Sequence, residues 1–131
     1  MSTKKELIIS GRPIGVGYPP FIIAEMSGNH NRSLDRALEI VDAVAKTGAH
    51  ALKIQTYTPD TMTINLDERE FHIGDPESLW SGISLYKLYA QAYTPWEWHK
   101  PIFERAKDNG LIVFSTPFDD TSVDFLESLN V

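Results

Sequence analysis

Charge interrupts the apolar runs of this chain at two places, with residue types suited to holding an anion. Glu25 follows the run Phe21-Ile22-Ile23-Ala24, and Lys53 and Gln55 alternate with apolar residues in Ala51-Leu52-Lys53-Ile54-Gln55-Thr56. Side chains alternate across a strand, so Ile23 and Glu25 take one face while Ile22 and Ala24 take the other. Lys53 and Gln55 likewise share a face opposite Leu52 and Ile54. Glu and Lys are rarely buried unless paired, since an unpaired buried charge costs on the order of several kcal/mol. A purely structural ion pair between neighbouring strands meets that requirement. The functional reading adds Ser115 and Thr116, which end a third apolar run beginning at Leu111 and are expected at the same rim as Gln55. A lysine cation beside amide and hydroxyl groups suits a carboxylate or a phosphate.

The segment Met26-Ser27-Gly28-Asn29-His30 reads as a polar turn after the first strand, with Gly28 and Asn29 able to take positive φ. His30 there could reach a substrate. His50, His72 and His99 fall on separate elements, so no metal ligand is assigned. Trp96, Trp98, Tyr86 and Tyr89 read as packing residues, and Asp67-Glu68-Arg69-Glu70 as a solvated charge run.

These side chains need a scaffold, and 131 residues with 42% apolar content supply one core and no more. Lys and Arg number 12 against 18 Asp and Glu, a formal charge of −6 without a basic cluster, which argues against partnership with nucleic acid or an anionic membrane. The absence of Cys removes disulfides, thiolate nucleophiles and cysteine metal sites. No stretch approaches the roughly 20 apolar residues of a membrane span, and the start is too short for a signal peptide, so a cytoplasmic location is expected.

Residues 1–20, rich in Gly and Pro, read as a terminal flap with a small hairpin. From residue 21 to 131 strands and helices alternate. Ser33 caps a helix whose apolar residues run from Leu34 to Ala45 before Gly48, and Ala51 to Thr56 forms the second strand. Residues 57–93 break the rhythm, with Leu85, Leu88, Tyr89 and Ala92 as a short helix. A connection of that length tends to be functional. Thr94-Pro95-Trp96-Glu97 has the pattern of a capping box, and Pro101 is expected to kink the helix or divide it into a turn and a second segment. Residues 111–116 form strand three, and Asp119 and Asp120 open a helix carrying Val123, Leu126 and Leu129. Three successive βα units imply a parallel sheet. No Gly-x-Gly-x-x-Gly follows strand one, which disfavours a Rossmann sheet. The fold class is therefore α/β, read as a TIM (β/α)8 barrel. Because such a barrel takes about 250 residues, only its first three βα units are present, beside the flap.

The motifs Ile22-Ile23-Ala24-Glu25-Met26-Ser27-Gly28-Asn29-His30, Leu52-Lys53-Ile54-Gln55-Thr56-Tyr57 and Phe114-Ser115-Thr116-Pro117-Phe118 resemble the three N-terminal strand motifs of the sialic acid (nonulosonic acid) synthase family. Within it, Tyr57-Thr58-Pro59-Asp60, Leu79-Trp80, Leu85-Tyr86-Lys87-Leu88-Tyr89 and Thr94-Pro95-Trp96-Glu97-Trp98-His99 look most like the pseudaminic acid branch, with the N-acetylneuraminate branch as the alternative. The resemblance implies condensation of phosphoenolpyruvate with an open-chain amino-sugar aldose, here a diacetamido-trideoxy aldose, with release of phosphate. It also implies Mn²⁺ or Mg²⁺ polarising the aldehyde, held by ligands beyond this stretch, and a homodimer at full length. By the same resemblance Glu25 matches the catalytic carboxylate that orients or deprotonates water. Lys53 and Thr116, with Ser115, match phosphoenolpyruvate-binding positions, and Gln55, Asn29, His30 and Phe118 fall to the sugar. The 131-residue stretch alone is expected to be inactive. Two other readings stay open: a Schiff-base barrel aldolase using Lys53, and a non-catalytic barrel remnant that binds a partner.

Overall fold

The computed structural model describes residues 6–131, so the first five residues of the expected flap lie outside the described region. Strands β1 (Leu7–Ile9) and β2 (Arg12–Ile14) pair antiparallel as a hairpin, with Ser10 and Gly11 at positive φ in the turn. The hairpin forms its own two-stranded sheet.

A second sheet contains β3 (Ile23–Glu25), β4 (Ala51–Thr56) and β5 (Ile112–Pro117), all parallel and in that spatial order. Met26 N–H donates to the Lys53 carbonyl at 3.0 Å, carrying the β3 ladder one rung further. Between β3 and β4 runs α1 (Leu34–Ala45), started by the Ser33 hydroxyl accepting from Arg36 N–H and followed by Gly48 at φ +82°. A separate α5 (Asp120–Ser128) follows β5, with the Asp119 carboxylate accepting from Ser122 N–H at 3.0 Å.

The expected long connection carries more order than its sequence suggested. Residues Pro59–Met62 form a one-turn helix, α2, closed by a reciprocal Thr58–Thr61 capping box. Two strand-like hydrogen bonds, Gly82 N–H to Ile73 carbonyl (2.9 Å) and Ile73 N–H to Ile83 carbonyl (3.1 Å), tie the middle of the loop to itself. Ser84 then caps α3 (Leu85–Ala92).

The expected box at Thr94 does not form. The chain enters through a 3-10 turn at Trp96–Trp98 with no side-chain cap, and α4 proper runs from His99 to Asp108. The tighter turn takes Glu97 out of box geometry, and the Thr94 hydroxyl is buried against His30 Nε2 instead. Pro101 lies in the first turn of α4, where a missing N–H loses no helical bond, so the division into turn and helix occurs as expected.

Helices α1 and α4 pack side by side, joined at the surface by a two-pronged Arg105–Asp42 pair at 2.9 and 3.1 Å. Beneath them lies the core of Met26, Ala37, Val41, Leu52, Ile54, Ile102, Phe103, Ala106, Leu111 and Leu126. That core covers one face of the parallel sheet. The other face carries the charge.

Candidate anion-binding site

In a parallel ladder, residues in register project to the same side. The register Glu25↔Lys53↔Phe114 makes one layer and Gln55↔Thr116 the next, both on the face away from the helix-packed core. Lys53 Nζ stands 2.8 Å from Glu25 Oε1, with side chains 27% and 51% exposed, so the pair is open to a ligand. Two positions further on, Tyr57 and Phe118 meet edge to face at 5.5 Å, and Phe118 N–H donates to the Thr56 carbonyl at 3.2 Å. The ladder pattern thus continues past the strand ends and sets a third, aromatic layer above Gln55 and Thr116.

The connection after β4 closes over this end of the sheet. Tyr89 of α3 packs edge to face on Tyr57 at 5.8 Å, and Ala92 presses on Gly28. A Cβ at Gly28 would sit 3.1 Å from both Ala92 Cβ and its carbonyl oxygen. Gly28 is therefore favoured by close approach rather than by its backbone angle. The positive φ values of this turn fall on Ser27, Asn31 and Arg32, not on Gly28 or Asn29 as expected. Arg32 is anchored by a guanidinium hydrogen bond to the Ala90 carbonyl and lies over the Tyr93 ring, which holds the unusual backbone in place.

Two expected site residues fall elsewhere. Ser115 registers with Ile54 and projects to the helix face, where its hydroxyl lies 2.5 Å from Thr56 Oγ1. Neighbouring residues of one strand cannot share a face, so Ser115 and Thr116 separate, and only Thr116 reaches the Lys53 side. Thr56 Oγ1 is in turn 2.7 Å from His99 Nε2, and His99 Nδ1 is 3.2 Å from the Pro95 carbonyl. A carbonyl only accepts, so Nδ1 carries the proton and Nε2 accepts from Thr56. Ser115 then donates to Thr56, and the chain of hydroxyls ties β5 to β4 and both to α4. Burial holds the His99 pKa below its ordinary value, with backbone hydrogen bonds offsetting part of the effect.

His30 is also fully buried. Its Nδ1 accepts from Arg32 N–H at 3.2 Å, which leaves the proton on Nε2 facing Thr94, and its ring lies edge-on to Trp98. Both ring nitrogens are engaged inside the protein, so His30 braces the turn and presents no edge to a sugar. Burial, then the Arg32 charge, lowers its pKa. Asn29 remains exposed in the same turn, its amide donating to the Met26 carbonyl at 3.0 Å. Phe118, 42% exposed, faces the site beside Tyr57. The sequence reading missed Phe114, which the Lys53 register places on the charged face, and Tyr57. The signal was there in the period of two through 53, 55 and 57.

Among the described residues no three His, Asp or Glu side chains gather as a cation site. The charged face does not by itself supply a cluster of that kind among the described residues. What they make is a cationic floor for an anion, an adjacent carboxylate, an amide and a hydroxyl one layer up, and an aromatic wall.

Parallel strands with helices packed on one face place the chain in the α/β class, and the likeness to solved structures agrees. N-acetylneuraminic acid (sialic acid) synthetase from Leptospira borgpetersenii superposes with a TM-score of 0.76 and 26% identity, over 98% of this chain and 39% of that one. The spore coat polysaccharide biosynthesis protein spsE of Bacillus subtilis gives 0.66 and 30%, over 96% and 31%. The model of the NeuB family matches residues 40–131, and the chain belongs to that family. It is 50% identical over 107 residues to pseudaminic acid synthase of Campylobacter jejuni, covering 82% of this chain and 31% of that protein. It is 46% identical over 112 residues to pseudaminic acid synthase of Helicobacter pylori, covering 86% and 32%. The chain thus spans about a third of the length of the curated relatives it matches.

Proposed function

We propose that a full-length protein carrying this sequence condenses phosphoenolpyruvate with an open-chain diacetamido-trideoxy aldose and water to give pseudaminic acid and inorganic phosphate. The observation that carries this reading is the Glu25–Lys53 pair at 2.8 Å on the exposed sheet face, with Gln55 and Thr116 one layer above. The 46–50% identity to pseudaminic acid synthases favours this branch over the N-acetylneuraminate branch.

Lys53 holds the phosphoenolpyruvate anion and Thr116 donates a hydrogen bond to it, while Gln55 contacts the aldose, with Asn29 and Phe118 at its edges. The methylene carbon of phosphoenolpyruvate forms a bond to the aldehyde carbon, whose oxygen takes up a proton, and the adjacent carbon that bears the phosphate becomes electron-deficient. Water oxygen adds at that phosphate-bearing carbon as its proton passes to Glu25. Cleavage of the bond between that carbon and the bridging oxygen expels phosphate, and loss of the remaining hydroxyl proton leaves the ketone. Proton transfer by a positioned carboxylate contributes about 10²–10⁴ in rate. A Mn²⁺ or Mg²⁺ ion, held by ligands beyond residue 131, would polarise the aldehyde as a Lewis acid.

The parallel sheet and its helices, residues 21–131, are the first three βα units of a (β/α)8 barrel in this proposal, with residues 1–20 as a flap. The whole protein acts as a cytoplasmic homodimer without nucleic acid or membrane partners. The 131-residue stretch alone, holding one side of the site, is inactive. Lys53 lies 2.8 Å from a carboxylate, whereas a Schiff-base lysine is activated by apolar or cationic surroundings, which weighs against a Schiff-base aldolase.

The test is phosphate release from phosphoenolpyruvate by the full-length, metal-supplemented protein with each candidate aldose. The diacetamido-trideoxy aldose is expected to be turned over, and Glu25→Gln is expected to abolish the reaction. Inactivity with every nonulosonate precursor would sink the proposal.

A further inference from the structure

Tyr57 is 4% exposed, yet its phenol makes no hydrogen bond among the described residues; its carbonyl, not its hydroxyl, accepts from Trp96 Nε1. Every fully buried side-chain nitrogen or oxygen among them does have a partner. The Tyr57 hydroxyl therefore reaches the surface, while the ring is clamped edge to face by Phe118 and Tyr89. A tyrosine with a buried ring and a hydroxyl that opens at the surface presents one polar atom outward, and such a hydroxyl ordinarily finds a partner.

The direction follows from register. Tyr57 lies two residues beyond Gln55 and four beyond Lys53 on the same strand parity, with Phe118 at the matching place beyond Thr116. At ~3.3 Å per residue the Tyr57 backbone stands ~13 Å along the strand from that of Lys53. An anion the size of phosphoenolpyruvate seated on Lys53 does not fill that span, and a second substrate lying over Gln55 does. We propose that the Tyr57 hydroxyl hydrogen-bonds a hydroxyl or acetamido oxygen of the acceptor aldose, making Tyr57 a specificity-determining contact in the wall above Gln55 and Thr116. Burial, with the Tyr89 phenol second, pushes the Tyr57 pKa up to about 12, so the group remains a donor throughout the working pH range. The assignment rests on the synthase reading above.

Tyr57→Phe removes only the unpaired oxygen and leaves the ring contacts in place. In the full-length protein it is expected to raise KM for the aldose about tenfold, as for one lost hydrogen bond, with KM for phosphoenolpyruvate within about twofold. The thermal midpoint is expected to stay where it is. Tyr57→Leu, which also removes the ring, is expected to lower that midpoint. Wild-type turnover together with an unchanged aldose KM in Tyr57→Phe overturns this assignment alone. A rise in both KM values, or a lower midpoint in Tyr57→Phe, identifies a packing role and overturns it too. A wild-type protein inert toward phosphoenolpyruvate with every aldose overturns the synthase reading and this contact together.

Discussion

Glu25 and Lys53 lie on adjacent parallel strands at one rung of the ladder, their charged atoms 2.8 Å apart and both partly open to solvent. Partly exposed pairs contribute about 0–1 kcal/mol, so this one is a weak source of stability. Lys53→Ala in the full-length protein should therefore shift the urea midpoint little while phosphoenolpyruvate turnover falls by at least about a hundredfold. A large loss of stability with turnover retained would return the pair to a structural role.

Ser115 and Thr116 offer a test of facing. Thr116→Val should raise KM for phosphoenolpyruvate with stability preserved, because its hydroxyl lies on the Lys53 side. Ser115→Ala should instead cost about 1 kcal/mol in chemical denaturation, since it strips a donor from Thr56. Steady-state kinetics and denaturation run on both variants would expose an inverted assignment.

The two buried histidines set an acid limit. His30 and His99 are both held below the ordinary value of 6.5, chiefly by burial. The unfolded chain therefore binds protons near pH 6.5 that the folded chain does not. Stability is fully present above that pH and declines as pH falls toward the lower folded values, by up to ~1.4 kcal/mol per unit for each histidine. Denaturation between pH 7.5 and 5.5 should show this loss, and His99→Gln should flatten the slope. An equal slope in that variant would remove His99 from the account.

Gly28→Ala should loosen the cover over the site. The new methyl would meet Ala92 at 3.1 Å, against backbone as well as side chain, so α3 must shift. Limited proteolysis within residues 63–84 should accelerate while the free energy of unfolding falls by about 1 kcal/mol. Unchanged cleavage would mean that α3 accommodates the methyl without moving.

Much of this was written in local patterns. Ser33 and Gly48 bound α1, and alternation in residues 51–56 divides Leu52 and Ile54 from Lys53 and Gln55, as the structure shows. Alternation also forbade Ser115 and Thr116 from sharing a side, but the end of a strand looks like a single rim when read as a string. His30 was opaque for a different reason. Its surroundings, Thr94 and Trp98, come from more than sixty residues away, and no local pattern encodes a partner at that distance. The Thr94 box failed because its hydroxyl was claimed by that same histidine, a tertiary contact overriding a local preference. Tyr57 needed the register of β5 before its place above Gln55 could be seen.

The clamps that hold α3, Ala92 on Gly28 and Tyr89 on Tyr57, sit at its C-terminal half, whereas Leu79 upstream is 99% exposed. A substitution at Leu79 is accordingly expected to leave the lysine and its carboxylate undisturbed. The outer part of the connection and the charged face of the sheet are thereby held in place by separate stretches of chain.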